Sequence, residues 1–415
     1  MKDKLKNKKI LPIYIKGLIS GKYTLTQAAE STGYSKQWLC ALKKKYLKIG
    51  NEVFINHHRG QIPVNKTPDN VRQKIVSTYK ADYSDVNFLY FCECLKEFEN
   101  IKISYKTLSN ILKSNGIKSP ERRKQKVKHV HRPRLRRQCA GDMLQVDGTP
   151  FPWFYKSGDN KKYCLTGAID DATGKITGLY LTENECLYGY MEILKQTCKN
   201  YGVPREIYSD RAAIFCFTPR KKNLARWKKL EVMHQKRTQW QRILSELNIN
   251  QILAWSPQAK GRVERMWHTI QGQLPVWFYK NGIKNIEEAN KNLEKYINYF
   301  NSKYKVEPAC DNTFWLKTPL NLKEILSAQF ERHGDKCGCI TFQGTKFYCP
   351  NFDLTRKNIL LCISEAGIFA KYKNAYYPLL PIGGYGQQPY SDALPQVVKN
   401  IIYRYLFAHA KESSA

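Results

Sequence analysis

The rhythm of hydrophobic and polar positions changes about a third of the way along the chain. Up to residue 120, apolar residues recur at helical spacing; from Asp142 onward, short runs with period-two alternation take turns with helical stripes. Residues 24–46 predict two short helices joined at Thr32-Gly33-Tyr34, the second capped by Ser35. Ala29 is placed where the helices cross, and Leu39 and Leu42 dock the second helix. This is a helix-turn-helix pattern. An ordinary helical hairpin has the same spacing, but the local charge favours DNA, with Lys36, Gln37, Lys43 and Lys44 on or beside the contacting face. Residues 67–118 form a second helical unit, with stripes at Val71, Ile75 and Tyr79 and at Phe88, Cys92, Leu95 and Phe98. Ser104 then caps a helix carrying Leu108, Ile111 and Leu112 and closed by Gly116. A DNA-binding module fits this unit, and so does a plain bundle.

The second pattern is α/β. Residues 142–149 predict a strand with Leu144 and Val146 on one face and Asp147 on the other. Residues 162–169 and 175–181 predict two more, joined by a hairpin turn at Asp170-Asp171-Ala172-Thr173-Gly174. A helix over 186–201 is stopped by Gly202-Val203-Pro204, and a short strand over 206–209 ends at Asp210. A helix over 238–247 and a strand over 252–255 follow, and Ser256-Pro257 ends that strand. A last helix begins near Ala259. Its Val263, Trp267, Ile270 and Leu274 face a core, while Lys260, Glu264 and His268 share a neighbouring face. The order is βββαβαβα, predicting a mixed five-stranded sheet.

An amphipathic helix over 285–300 comes next. Five short strands between 338 and 380 fit a small β-barrel, and a helix over 394–410 presents Val397, Ile401, Tyr405 and Leu406 to the body or to another protomer. The predicted organisation is therefore multidomain: a helix-turn-helix domain over 1–60, a second helical DNA-binding module over 61–120, a basic linker over 121–139, and an α/β core over 140–305 with a basic insertion at 216–237. A small β-barrel over 306–380 and a helical tail over 381–415 complete it.

Charge narrows the partner. The chain of 415 residues holds 69 Lys and Arg against 35 Asp and Glu, a formal net charge of +34, which points to a polyanion and first to double-stranded DNA. Residues 1–140 hold 31 Lys and Arg against 10 Asp and Glu, so the basic excess is concentrated there. Within the linker, Arg122, Arg123, Lys124, Arg134, Arg136 and Arg137 are placed to lie along phosphates. Thirteen cysteines, without C-x-x-C spacing or a secretory pattern, predict free thiols in a reducing cytoplasm. No apolar run approaches the length of a membrane span.

Three carboxylates suggest the chemistry. Asp147 lies on the first strand, Asp210 at the end of the fourth and Glu264 on the last core helix. If the first and fourth strands are neighbours, the aspartates meet and the helix brings the glutamate over them. Carboxylates that close repel one another, and a divalent cation resolves the conflict. All-oxygen ligands suit Mg²⁺ or Mn²⁺, and a pair of ions can hold both the attacking and the leaving oxygen of a phosphodiester. Lys260, Arg262 and Arg265, around Glu264, are candidates for clamping phosphates, with salt bridging as the alternative.

Residues 140–305 resemble the catalytic core of the DDE transposase and retroviral integrase superfamily, an RNase H-like fold, and in particular bacterial insertion-sequence transposases of the ISNCY-like kind. The resemblance is carried by Gln145-Val146-Asp147-Gly148, Ala168-Ile169-Asp170-Asp171-Ala172-Thr173-Gly174, Tyr208-Ser209-Asp210, Thr238-Gln239-Trp240 and the run Ser256-Pro257-Gln258-Ala259-Lys260-Gly261-Arg262-Val263-Glu264-Arg265. It implies that Asp147, Asp210 and Glu264 are catalytic and bind two Mg²⁺ ions, that a helix-turn-helix binds the element's ends, and that the protein acts as a dimer or larger assembly on DNA. The separation of Asp210 from Glu264 is longer than in retroviral integrases, which the insertion at 216–237 accounts for; their N-terminal zinc-binding set is absent. The competing readings are a structure-specific nuclease of the same fold and a non-catalytic DNA-binding repressor.

Overall fold

The first helices are set by their caps. In the computed structural model, which describes residues 10–55, 66–120, 135–217, 237–254, 261–373, 375–382 and 393–408, the chain divides into two units, Met1–Ser77 and Thr78–Ala415. The first unit contains α1 (Leu11–Ile19), α2 (Leu25–Thr32) and α3 (Lys36–Ile49). Thr24 and Gln27 form a reciprocal capping box at the start of α2, and Ser35 Oγ accepts the Trp38 N–H at 3.2 Å at the start of α3. Gly33, at φ +73°, supplies the left-handed turn between them, as the sequence predicts. Two details differ. α1 is an additional helix, started at Pro12, whose Leu11, Ile15 and Leu18 complete the core with Ala28 and Leu39. The small residue that is fully buried is Ala28, with Ala29 partly buried beside it.

α4 (Asp69–Asp82) spans the division between the units. In the second unit, α5 (Phe88–Glu97) and α6 (Tyr105–Ser114) are capped by Asn87 and Ser104, and they bury Phe88, Phe91, Leu95, Leu108, Ile111 and Leu112. The acids of this region are used internally. Lys280 Nζ meets Asp82 at 2.7 Å and Glu99 at 3.3 Å, Lys303 Nζ meets Glu93 at 2.6 Å, and Lys156 Nζ meets Asp85.

The five-stranded sheet has β1 (Met143–Phe151), β2 (Tyr163–Asp170), β3 (Ile176–Thr182), β4 (Glu206–Ser209) and β5 (Asn250–Leu253) in the order β3-β2-β1-β4-β5. β1, β2 and β3 are antiparallel neighbours; β4 runs parallel to β1 and β5 parallel to β4. β5 ends two residues before the predicted strand because its register is fixed by β4, from Glu206 opposite Asn250 to Ser209 opposite Leu253. Alternation along β1 sends Leu144 and Val146 into one core with α7 (Leu187–Asn200) and α8 (Gln239–Glu246). On the other face, Leu165, Leu179 and Leu181 pack against α9 (Gly261–Lys280) and α10 (Ile286–Tyr304).

The outer edge of β3 is closed by side chains. Each of three carboxamides both donates to and accepts from one backbone unit: Asn301 at Ile176, Gln196 at Leu179 and Asn290 at Leu181, all at 2.8–3.1 Å. A primary amide has the donor and acceptor geometry of a peptide group, so these residues stand in for a missing sixth strand.

Beyond α10, the short α11 (Leu322–Ile325) leads into β6 (Ala328–His333), β7 (Ile340–Phe342), β8 (Thr345–Tyr348), β9 (Asn358–Ser364), β10 (Gly367–Tyr372), β11 (Ala375–Pro378) and β12 (Leu380–Ile382). They form a four-stranded sheet, β11-β10-β9-β6, and a three-stranded sheet, β12-β8-β7. The described residues thus hold two open sheets where the sequence predicts a closed barrel. β6 and β12 are the strands it misses, β6 because its pattern is broken by Glu331 and Arg332. α12 (Ala393–Ile402) and the turn after it bury Ile401 and Leu406 against this body, as the predicted stripe requires.

Candidate functional site

The site begins with a register. β1 pairs with β4 so that Gln145 lies opposite Tyr208; Asp147 follows two residues on within β1, and Asp210 comes directly after β4, which ends at Ser209. Met143 packs with Tyr208 on this face, which fixes the side of the sheet that Gln145 and Asp147 also occupy. Gln145 and Asp147 meet α9 from this face. Asp210 ends its strand in a tight turn, its Oδ1 accepting the Ala212 N–H at 2.8 Å.

α9 is held to this face by three polar contacts in step. The Val263 N–H donates to Gln145 Oε1 at 3.2 Å, Trp267 Nε1–H to Asp147 Oδ2 at 3.1 Å, and Gln271 Nε2–H to Thr149 Oγ1 at 3.0 Å. Four helical residues advance about 6 Å and two strand residues about 6.6 Å, so the side chains of a helix parallel to β1 meet every second residue of the strand. The Val263 N–H is one of the helix's first four and has no partner inside the helix; Gln145 satisfies it. Gly167, opposite Asp147 on β2, makes room for the indole: a Cβ there would lie 2.7 Å from Trp267 Cη2.

The β2–β3 turn completes the brace. Asp171 is fully buried, and its Oδ1 accepts from Gln145 Nε2 at 2.8 Å and from Arg262 Nη1 at 2.9 Å, while its Oδ2 accepts the Arg137 N–H at 2.8 Å. Asp170 turns the other way, taking the Gly141 and Thr173 N–H groups and the Thr173 hydroxyl; burial pushes its carboxyl above the usual range against the pull of those donors. The doublet at 170–171 is thus a structural device that positions Gln145 and the first turn of α9. Sequence reading reaches the doublet as a hairpin turn and as part of the run that carries the family resemblance, not as a brace.

Of the three acids, Asp147 lies within β1 against α9, Asp210 follows the end of β4, and Glu264 is exposed on the flank of α9, because Val263 and Trp267 occupy the stripe that faces the sheet. Among the described residues no three His, Cys, Asp or Glu side chains converge closely enough to hold an ion. Residues 255–260, which lead into α9, lie outside the described residues.

The predicted DNA contacts divide in the same way. Lys36, Gln37 and Lys44 are exposed on α3, and Arg265 is exposed beside Glu264. Lys43 is not free for phosphate: its Nζ donates to Leu18 O at 2.7 Å, closing the end of α1. Arg262 is committed to the buried Asp171, so the salt-bridging alternative holds for it. Arg136 donates to Ala172 O at 3.0 Å, and Arg137 pairs with Glu206 and with Asp142, so the end of the linker is tied to the sheet. In each case the cation meets a carbonyl or an acid from a distant part of the chain. Arg122, Arg123, Lys124, Arg134 and Lys260 lie outside the described residues, as does most of the basic stretch at 216–237.

All thirteen cysteines are free thiols, as predicted, and no helix among the described residues is long and apolar enough to cross a membrane. The chain is 30% identical to the transposase of insertion sequence IS1202 from Streptococcus pneumoniae, in an alignment that covers 81% of this chain and 77% of that protein. The chain belongs to the insertion-sequence transposases. A second relative, the putative transposase y4bF of Sinorhizobium fredii, is 30% identical over 345 residues, covering 82% of this transposase and 72% of the relative. No family model matches the transposase. Among solved structures, the simian T-cell lymphotropic virus intasome in complex with PP2A regulatory subunit B56 gamma aligns over 74% of this chain and 96% of its own, at 14% identity and a TM-score of 0.31.

Proposed function

We propose that this transposase binds the terminal inverted repeats of its insertion sequence, hydrolyses a phosphodiester at each end to free a 3′-OH, and joins that hydroxyl to target DNA by transesterification. What supports this most is the parallel pairing of β1, which carries Asp147, with β4, which ends just before Asp210, and the contact of Asp147 with α9, the helix that carries Glu264. An all-carboxylate donor set fits Mg²⁺ or Mn²⁺, with Asp147 and Asp210 as the paired ligands and Glu264 as the third once DNA and metal are bound. Two bound ions would supply Lewis-acid stabilisation of the attacking and leaving oxygens. The protein's own share is to hold these carboxylates at fixed positions, through the register of β1 with β4 and the contacts along α9. Arg265 and the exposed face of α3, with Lys36, Gln37 and Lys44, are placed to meet phosphates or base edges, and the helical region before the core to contact the DNA near them. Two ends are handled together, so a dimer or larger assembly on DNA belongs to this reading.

The test is a duplex carrying the element's terminal repeats, incubated with Mg²⁺ and scored for cleavage and strand joining. Asp147→Asn binds ends but neither cleaves nor joins them. Retained cleavage by that variant would remove Asp147 from the site, and cleavage by the native protein without any joining would favour a nuclease.

A further inference from the structure

We propose that Trp267 is a positioning residue of the metal site: its indole N–H fixes the orientation of the Asp147 carboxylate. The inference rests on Asp147 being a metal ligand, as proposed above, and goes beyond it by assigning a role to a side chain whose spacing marks it only as core.

The geometry supports more than packing. Trp267 is almost fully buried, and its Nε1–H donates to Asp147 Oδ2 at 3.1 Å. A phenylalanine or leucine would fill the core at this point of α9, as Ile270 and Leu274 do in the following turns. Only tryptophan fills it and also delivers one donor to Asp147, while Gly167, opposite Asp147 on β2, leaves room for the Cη2 end of the ring.

The kind of donor matters. A carboxylate offers roughly four lone-pair sites, of which one N–H bond takes a single one. The indole is neutral and donates only, so it holds the carboxylate without competing with the charge of a divalent ion, as an arginine or lysine in its place would compete. The contacts on either side, Val263 with Gln145 and Gln271 with Thr149, keep the helix from sliding along β1, so the indole N–H arrives at one position.

The test uses full-length protein and two readouts. Mn²⁺ binding is measured without DNA from the electron paramagnetic resonance signal of free Mn²⁺, and strand joining is measured across a Mg²⁺ titration. Trp267→Phe keeps the ring and removes the donor; it is expected to weaken Mn²⁺ binding about tenfold or more, the range seen when outer partners of metal ligands are lost. The Mg²⁺ needed for half-maximal joining rises by a similar factor, and joining at saturating Mg²⁺ returns to the native rate. A folded Trp267→Phe protein with native Mn²⁺ affinity and native Mg²⁺ dependence overturns the proposal. So does a loss of joining that excess Mg²⁺ fails to restore, which is the mark of a packing defect.

Should Trp267→Phe fail to fold, Gly167→Ala decides, because its added methyl presses on the indole and leaves the donor in place. A raised Mg²⁺ requirement supports the proposal and an unchanged one overturns it. Asp147→Asn separates the two layers of the argument. If it binds Mn²⁺ and joins DNA like the native protein, Asp147 is no ligand and both readings fall. If it loses both while Trp267→Phe is unchanged, only the positioning role falls.

Discussion

At the scale of single residues, charge alone says little about what a basic side chain does in this protein. Lys43 and Lys44 are neighbours on α3 and look interchangeable in sequence, yet one closes the end of α1 while the other is exposed. Lys44→Ala is expected to weaken DNA binding and to reduce the salt dependence of the affinity by about one ion's worth. Lys43→Met lowers the melting temperature of the first unit and changes the salt slope much less. Titrating end DNA at several salt concentrations, beside thermal melts, separates the two; equal slopes for both variants would contradict the assignment. Arg262 makes the point more strongly. Its partner Asp171 is fully buried, and removing the guanidinium leaves that carboxylate without its cation. Arg262→Met should cost about 3–5 kcal/mol in denaturant unfolding, the usual cost of breaking a buried pair on one side. A loss below about 1 kcal/mol would mean that Gln145 and the Arg137 N–H suffice for Asp171.

At the scale of elements, side-chain amides do work that strand pairing does elsewhere. β3 is an edge strand, and its outward peptide groups at Ile176, Leu179 and Leu181 are met by Asn301, Gln196 and Asn290 from two different helices. Each amide makes two hydrogen bonds of about 1 kcal/mol net, so Gln196→Ala or Asn290→Ala is expected to cost about 2 kcal/mol. The double variant also uncovers backbone able to pair with another chain, so its aggregation, followed by light scattering during a thermal ramp, should begin earlier than its loss of stability alone accounts for. Unchanged scattering in the double variant would show that the edge is protected by something else. None of these three amides stands out in sequence, because Asn and Gln on a helix read as ordinary solvent-facing residues. The signal exists only once the helix is laid along the strand.

At the scale of the whole molecule, the chain falls into a small helical unit and a large one that contains the sheet. Deleting residues 1–60 is expected to abolish selection of the element's ends while leaving metal-dependent nicking by the remainder. Unchanged affinity for end DNA in a binding assay would place end recognition elsewhere, with the exposed basic side chains of α6 the next place to look. Ion pairs join the helices before the core to its lysines at 156, 280 and 303. Acids of a strongly basic chain are used there for internal docking.

What the sequence determined by itself was everything governed by local periodicity and caps: the helix-turn-helix with Gly33 and Ser35, the order βββαβαβα, the burial of Val263, Trp267, Ile270 and Leu274, and the choice of Asp147, Asp210 and Glu264 as the acids to watch. These follow from neighbours within a turn or a strand, and a single chain displays them. The tertiary structure alone decided the register of β1 with β4, the exposed position of Glu264, the commitment of Lys43, Arg136, Arg137 and Arg262 to protein partners, and the splitting of the C-terminal strands into two sheets. The physical reason is the same in each case. A hydrogen bond or an ion pair is fixed by which distant group desolvation leaves in need of a partner, and that need arises only when the layers have packed.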